Sequence, residues 1–303
     1  MEKQIITVFG ATGAQGSGVV THLLKQGKYA VRAVTRNIHS EKAVALKEMG
    51  CEVVEADLND KKSLDNALKN AYGCFVVTNA WEPTGQVNEF EQGKKAVAAA
   101  KENNVQHFVW STLPNCKEIS SGKYIVTHFT EKASVDQLVK NAGFSYYSFV
   151  EAPMYFQNLI TILKPVPQED GSKAWFFTMD PDNKGIYNGD IYELGKLVTA
   201  VFENRDKVGK GQYLAMSPGS ISWNEIVAIL QKQGHNIQYH QVDNETFEKF
   251  PIPAAKEFNE MLHFWEEYGY FGPNSEEKIL LAKEIVPEGF TSFEDWAKEN
   301  FKD

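Results

Sequence analysis

The stretch that decides the fold of this 303-residue chain reads Ile5-Ile6-Thr7-Val8-Phe9-Gly10-Ala11-Thr12-Gly13-Ala14-Gln15-Gly16. An apolar, strand-like run ends in three glycines spaced G-x-x-G-x-x-G, and a helical segment, residues 17–26, follows. Glycine suits such a turn because it adopts left-handed backbone angles and lets a ligand approach the main chain. The free amides and positive dipole end of the following helix favour an anion. We therefore predict that this segment binds the pyrophosphate of a dinucleotide, with contacts from Gly10, Thr12, Gly13, Ala14, Gln15 and Gly16.

Strand-like and helical segments alternate along the first half of the chain. The strand-like runs cover residues 5–9, 30–35, 51–55, 74–78, 107–111 and 145–150, with another at 212–216. The helical segments, with apolar residues three and four apart, cover residues 17–26, 40–49, 61–70, 86–103 and 128–141. This alternation predicts an α/β fold with a doubly wound parallel (Rossmann) sheet. The ligand crevice of such a sheet lies at the carboxyl ends of its strands.

Beyond about residue 151 the regular alternation ends. Prolines and the segments 168–173 and 180–185 indicate loops, and helical patterns return at residues 190–204, 223–233, 253–268, 276–284 and 292–301. We predict that residues 1–150 form the dinucleotide-binding domain, joined by a strand and a helix from around residues 186–217. Residues 151–303 are expected to form a smaller, mostly helical C-terminal lobe that closes the crevice.

Composition argues against several classes of function. The formal net charge is −9 and the chain has no basic block, which disfavours nucleic-acid binding and a polybasic membrane patch. No apolar run approaches the roughly 18 residues of a membrane span, and no secretion signal is apparent. The three cysteines lack C-x-x-C spacing, and no Cys/His cluster indicates a metal. We expect a cytoplasmic protein, with the nucleus as an alternative location, that directly contacts neither nucleic acid nor membrane.

The end of the second strand-like run indicates which dinucleotide is bound. An NAD site normally has Asp or Glu here to accept from a ribose hydroxyl, whereas this chain has Arg36 and Asn37. A guanidinium pairs with the 2′-phosphate of NADP and stacks on adenine. We therefore predict NADP(H), with both residues in the site. The alternative is a solvated arginine at a strand end, and the nearby Glu41 would weaken the preference.

Two further strand ends supply candidate contacts. Asp57 is placed to accept from the adenine amino group, and Leu58 offers an apolar contact to the ring. The alternative for Asp57 is a cap of the next helix. After the fourth run, small polar residues line the path from pyrophosphate to nicotinamide: Thr78, Asn79 and Ala80.

Several segments together carry a family resemblance. They are the glycine stretch, Val34-Thr35-Arg36-Asn37, Val77-Thr78-Asn79, Trp81-Glu82, His128-Phe129-Thr130-Glu131-Lys132 and Ala152-Pro153-Met154-Tyr155-Phe156-Gln157-Asn158-Leu159. With them the whole chain resembles the NmrA-like family, an atypical branch of the short-chain dehydrogenase/reductase superfamily. The resemblance implies that Lys132 holds the nicotinamide ribose and that Met154, Tyr155, Phe156 and Gln157 lie over the nicotinamide.

The resemblance also exposes an incomplete catalytic set. Active reductases of the superfamily carry Tyr-x-x-x-Lys on the matching helix, where the tyrosine protonates the substrate carbonyl. Here His128 and Lys132 stand at i and i+4, and Ser111 lies where the superfamily's serine often does. Histidine titrates near neutrality and is a candidate proton donor, with a packing or helix-start histidine as the alternative. These three residues are the catalytic candidates.

The resemblance implies an NADP(H)-state sensor that regulates transcription factors or signalling proteins by direct contact. An NADPH-dependent reductase of quinone- or isoflavone-like substrates that uses Lys132 is the alternative, and a structural module with a degenerate cofactor site is a third. A regulatory partner is expected on the C-terminal lobe, where an aromatic cluster stands at Phe264, Trp265, Tyr268, Tyr270 and Phe271. Three of these fall at i, i+4 and i+7, so a core-facing stripe is the other interpretation of the cluster.

Overall fold

The computed structural model describes residues 2–81, 87–252 and 254–302. Glu82, one of the resemblance residues, lies outside the described residues. So do Gln86 and Pro253, the first residues of two predicted helices.

The strands alternate with helices through the first half of the chain, as predicted. In chain order the strands are β1 (Ile5–Val8), β2 (Ala30–Thr35), β3 (Glu52–Glu55), β4 (Ala71–Val76), β5 (His107–Thr112), β6 (Tyr146–Glu151), β7 (Met154–Tyr155), β8 (Val166–Pro167), β9 (Lys173–Phe177), β10 (Ile186–Gly189), β11 (Lys210–Ala215), β12 (Ser220–Ile221) and β13 (Ile237–Gln241). The α-helices are α1 (Ala14–Gln26), α2 (Glu41–Glu48), α3 (Lys61–Leu68), α4 (Glu89–Glu102), α5 (Cys116–Ile119), α6 (Thr127–Asn141), α7 (Leu194–Glu203), α8 (Arg205–Val208), α9 (Trp223–Lys232), α10 (Asn244–Glu248), α11 (Ala255–Tyr268), α12 (Ser275–Ile285) and α13 (Phe293–Asn300). Two 3₁₀ turns cover Phe156–Ile160 and Ile191–Glu193.

A seven-stranded sheet in the order β11-β6-β5-β4-β1-β2-β3 forms the centre of the molecule. All of its neighbouring strands pair in parallel. The predicted doubly wound parallel sheet is confirmed, and β11 joins it from beyond residue 150. Val8, at the end of β1, stands opposite Ala33 and Phe75, so the carboxyl ends of β1, β2 and β4 meet at one edge.

Helices pack on both faces of this sheet. One face carries α1, α7 and α12, and the other carries α3, α4 and α6. The helices α1 and α7 touch through glycine, since a Cβ built on Gly195 would lie 2.1 Å from the Gly18 carbonyl oxygen. This close approach leaves α1 little room to shift along the sheet.

The bounds of two predicted elements change for local reasons. The predicted strand 74–78 is found at Ala71–Val76, because Asn70 adopts a left-handed conformation with φ 60° and the strand begins directly after it. The predicted helix 190–204 is divided into the turn Ile191–Glu193 and α7, with the Asp190 side chain accepting from the Tyr192 amide as a cap.

The C-terminal part is helical, and it also contains two three-stranded sheets that the sequence pattern did not indicate. Their orders are β12-β10-β7 and β13-β9-β8. The strands are short, and β9 pairs with β13 more than 60 residues later in the chain (Lys173 opposite Ile237). Local periodicity carries no information about such distant pairing.

The aromatic cluster of the C-terminal part packs inside it. Phe264 and Phe271 are fully buried, and Trp265 and Tyr270 nearly so. Tyr268 packs against the same core, so the core-facing interpretation is confirmed. Four of the five aromatic side chains are therefore buried, and Tyr268 is half-buried.

Candidate functional site

The glycine stretch forms the tight turn that its spacing predicts. Gly10 has a φ of +64°, and the Gly13 amide donates to the Gly10 carbonyl oxygen over 2.8 Å. A Cβ built on Gly16 would lie 2.2 Å from the same oxygen. The first glycine therefore allows the turn, and the third lets α1 pack directly onto it.

The N-terminus of α1 opens onto a cleft. Its N-cap, Gly13, is extended, no side chain caps the helix, and its first turn carries no acidic residue. The first amides of a helix have no acceptor within the helix. Since Ala14, Gln15 and Gly16, the first residues of the helix, line the cleft, their amides are placed where they can bind an anion.

The cleft measures about 600 Å³ and follows the carboxyl ends of β1 to β4. Thirteen predicted site residues line it: Gly10, Thr12, Gly13, Ala14, Gln15, Gly16, Arg36, Asn37, Asp57, Leu58, Thr78, Asn79 and Tyr155. Of the predicted segment 154–157, Tyr155 alone is among the lining residues. Met154 and Phe156 are buried in the C-terminal core, and the Gln157 amide donates to Asp190 Oδ1 over 2.7 Å. Ala80 and Lys132 are also absent from the lining that the described residues form.

Two residues at the β2 end of the cleft were not predicted from the sequence. Ser40 and Lys42 line it together with Arg36 and Asn37, and Lys42 Nζ donates to the Thr12 carbonyl oxygen over 3.3 Å. Lys42 stands in the first turn of α2, where a cation opposes the helix dipole. Lys61 likewise stands in the first turn of α3, so the sequence carries no signal that singles out Lys42.

Asp57 lines the cleft and does not cap a helix. Its Oδ1 accepts from the Asn59 amide over 2.7 Å, which closes a local turn. The cap of α3 is Asp60, which accepts from the Lys62 amide. The cap interpretation of Asp57 is therefore wrong.

Lys132 is buried beside the inner end of the cleft. Its Nζ donates to the Thr78 carbonyl oxygen over 2.7 Å, to Thr78 Oγ1 over 2.8 Å and to Glu89 Oε1 over 2.6 Å. Glu89 is itself fully buried. Burial lowers the pKa of Lys132, and the neighbouring Glu89 carboxylate opposes that shift. This ammonium ties α6 to Thr78 and to the start of α4.

His128, the other half of the predicted pair, is occupied at the start of α6. Its Nδ1 lies 2.9 Å from Glu257 Oε1, an oxygen that also accepts from the Thr127 amide. The hydrogen bond to His128 lowers the pKa of Glu257. His128 thus stands at the start of α6 and joins it to α11.

A hydrogen-bonded chain closes the inner end of the cleft. Ser111 Oγ donates to Gln15 Oε1 over 2.7 Å, and Gln15 Nε2 donates to the Tyr155 hydroxyl over 2.8 Å. Burial raises the pKa of Tyr155, which keeps the phenol protonated at neutral pH. The sequence indicated each of these residues, but not that Gln15 joins the other two.

Residues 2–81, 87–252 and 254–302 contain no group of three or more His, Cys, Asp or Glu residues placed to hold a metal ion. None of their helices has both the length and the apolar character that a bilayer span needs.

Lys132 and Glu89 form a buried ion pair. We therefore expect Lys132→Met to lower the free energy of unfolding by about 3–5 kcal/mol, because the substitution leaves the Glu89 carboxylate without its counter-charge. The double variant Glu89→Gln/Lys132→Met is expected to recover much of that loss. Lys101→Met, an exposed change on α4, is the control. Urea unfolding at neutral pH measures all three, and unchanged stability of Lys132→Met would contradict a structural role for this lysine.

Comparison with known proteins identifies the family. The family model described as the NmrA-like family matches residues 2–297. A relative from Dictyostelium discoideum, described as an NmrA-like family domain-containing protein, is 32% identical, and the alignment covers 100% of this chain and 99% of the relative. An NmrA-like family domain-containing oxidoreductase of Malbranchea aurantiaca is 36% identical, with 99% of this chain and 97% of the relative covered.

Among solved structures, NmrA, a negative transcriptional regulator crystallised in complex with NADP, superposes with a TM-score of 0.82. It is 22% identical, and the match covers 99% of this chain and 96% of that one. This likeness shows a common fold. With the family model matching almost the whole length, the chain belongs to the NmrA-like family.

Proposed function

We propose that the cleft binds NADP(H). The observation that carries this proposal is the pair of cations, Arg36 and Lys42, that line the cleft at the end of β2. An NAD site has a carboxylate at this strand end for the ribose hydroxyls. In this cleft the described lining residues place their carboxylate at the end of the neighbouring strand, where Asp57 lies. Two cations without a carboxylate suit a 2′-phosphate.

The rest of the cleft supports the same ligand. The uncapped amides of α1 face the middle of the cleft, where a dinucleotide carries its pyrophosphate. The solved regulator with this fold was crystallised with NADP and also with NAD, which is consistent with a dinucleotide in this cleft.

We expect Arg36→Glu and Lys42→Glu each to weaken NADPH binding about 10- to 100-fold, since a hydrogen bond to a charged group contributes roughly 1.5–3 kcal/mol. NADH lacks the 2′-phosphate, so its affinity should change much less. Calorimetric titration of both cofactors measures the ratio of the NADPH affinity to the NADH affinity. Lys47→Glu, an exposed change at the other end of α2, is the matched control. An unchanged ratio in both cleft variants would contradict recognition of the phosphate.

We further propose that the protein senses bound NADP(H) and passes this state to a regulatory partner. This proposal is supported by the side chains at the catalytic positions, because both of them are paired with other residues of the fold. His128 pairs with Glu257, and Lys132 pairs with Glu89 and Thr78. Thr78 lines the cleft, so a ligand there contacts the residue that Lys132 holds. Through α6 and His128 this contact continues to α11 in the C-terminal part.

One observation favours a second function, an NADPH-dependent reductase. The Tyr155 phenol lies at the inner end of the cleft, where its oxygen accepts from Gln15 and its own proton is available for transfer. It offers an acid in place of the missing tyrosine of α6. The relative from Malbranchea aurantiaca bears an oxidoreductase name, which is consistent with this alternative.

Turnover separates the two functions. The loss of NADPH absorbance is followed with a panel of quinones and aldehydes, for the wild type, Tyr155→Phe and the control Tyr124→Phe. The sensor proposal predicts tight NADPH binding with turnover well below about one per second, the lower end for typical enzymes. Faster turnover that Tyr155→Phe reduces at least about 100-fold, within the range of general acid catalysis, would establish the reductase and overturn the sensor.

A further inference from the structure

Asp136 is a buried carboxyl group on α6 whose polar neighbours are hydroxyl groups. The residue is 6% exposed. Thr112 Oγ1 lies 2.8 Å from its Oδ1, and the Tyr213 hydroxyl oxygen lies 2.8 Å from its Oδ2. No ion pair within the described part of the chain includes Asp136. Because a buried carboxylate without a counter-charge is unfavourable, this environment favours the neutral, protonated form.

The nearby charges do not supply that counter-charge. Glu151 on β6 is a second buried carboxylate, and it binds the ammonium of Lys278 on α12, whose Nζ lies 2.9 Å from Glu151 Oε1. The ammonium of Lys140, one turn further along α6, lies over the ring of Tyr213, 5.1 Å from its centre. Asp136 is therefore the carboxyl group of this cluster that has no cation of its own.

The hydroxyl of Thr112 shows where a proton on Asp136 fits. Its Oγ1 lies 2.8 Å from Asp136 Oδ1 and 3.4 Å from the Leu113 carbonyl oxygen. A hydroxyl has one proton to donate, and a carbonyl oxygen has none. Both contacts are hydrogen bonds at the same time only if Asp136 donates to Thr112 and Thr112 donates to Leu113. The hydroxyl of Tyr213 then donates to the other oxygen of the carboxyl group.

The surroundings raise the pKa of Asp136 to about 7. Burial is the main cause, and the Glu151 carboxylate adds to it. The hydroxyls of Thr112 and Tyr213 and the ammonium of Lys140 act in the opposite direction. The charge on this carboxyl group therefore changes within the range in which most proteins work.

The carboxyl group joins α6 to two strands of the central sheet. Thr112 ends β5, and Tyr213 lies in β11. Burial raises the pKa of Tyr213, and the carboxylate of Glu118 on α5 acts in the same direction, so the phenol remains a donor. Asp136 thus holds α6 against the sheet from both of its oxygens.

The same helix holds a residue of the cofactor cleft. Asp136 stands one turn after Lys132, on the same side of α6. Lys132 Nζ donates to Thr78, which lines the cleft. A change in the attachment of α6 at Asp136 therefore reaches the cleft through Lys132.

We propose that Asp136 is a pH-sensitive switch in the attachment of α6. With its proton, the carboxyl group fastens the helix to β5 and β11. Loss of the proton as the pH rises through neutrality leaves a buried carboxylate near Glu151, which loosens α6 and, through Lys132, the hold on Thr78. The effect on the cleft rests on the proposed NADP(H) binding, whereas the proton site does not.

Urea unfolding of the wild type and Asp136→Asn between pH 5 and 8.5 tests the proton site. The amide of asparagine resembles the protonated carboxyl group and does not titrate. An aspartate of the unfolded chain has a pKa of about 4, so the folded chain binds this proton more tightly, and the stability it gives is lost as the pH rises to about 7. We expect the unfolding constant of the wild type, relative to the variant, to rise about tenfold per pH unit up to about pH 7 and to level off above it. Asp206→Asn, at an exposed aspartate of α8, should follow the wild type at every pH.

A ratio of unfolding constants that is independent of pH, or that falls as the pH rises, would overturn the proton site. If Asp136→Asn does not fold, the comparison of the wild type with Tyr213→Phe decides. This variant removes a hydrogen bond to the carboxylate and so raises the pKa of Asp136 further. It should go on losing stability above the pH at which the wild type levels off, and parallel profiles would overturn the proposal.

Calorimetric titration with NADPH at pH 6 and pH 8 tests the effect on the cleft. The affinity of the wild type relative to Asp136→Asn should be about fivefold lower at pH 8, the lower end of ordinary coupling between sites. Comparison with the variant cancels the titration of the phosphates of NADPH. An equal ratio at both pH values would overturn the coupling of Asp136 to the cleft. A wild type that binds no NADPH at either pH would overturn the proposed function, and the unfolding experiment would still decide the proton site.

Discussion

The contact on which the site depends is the direct packing of helix α1 against the turn after β1. Gly16 stands so close to the Gly10 carbonyl that no side chain fits between them. On its other side α1 meets α7 at Gly18 and Gly195, again without room for a Cβ. Held from both sides, the helix directs its first amides at the cleft. The anion site is therefore a property of packing, formed before any ligand arrives.

A second constraint is the buried ion pair of Lys132 and Glu89. An ammonium without counter-charge is unfavourable at this depth, and the carboxylate and Thr78 satisfy it together. Lys132 therefore differs from the matching lysine of a reductase, which faces the nicotinamide ribose. Lys132 here joins α4, α6 and the end of β4, and it stands next to a residue that lines the cleft. The hydrogen-bonded groups at this end of the cleft are instead Ser111, Gln15 and Tyr155.

Much of this architecture follows from local patterns in the sequence. The glycine spacing and the alternation of apolar runs led to the parallel sheet, because both reflect contacts between residues near in the chain. The pairing of His128 with Glu257 did not follow, since the two residues are 129 positions apart in the chain. The position of Lys42 did not follow either, because it lies on α2, which reaches the end of β2 only in the folded chain.

We propose that the β2 end of the cleft recognises a 2′-phosphate. Adenosine 2′,5′-bisphosphate and AMP differ only by that group, so calorimetric titration of the full-length protein with both isolates it. The account predicts that the bisphosphate binds at least about tenfold more tightly, since one hydrogen bond to a charged group is worth that much, and that the gap narrows as salt is added. Equal affinity for the two nucleotides at low salt would contradict it.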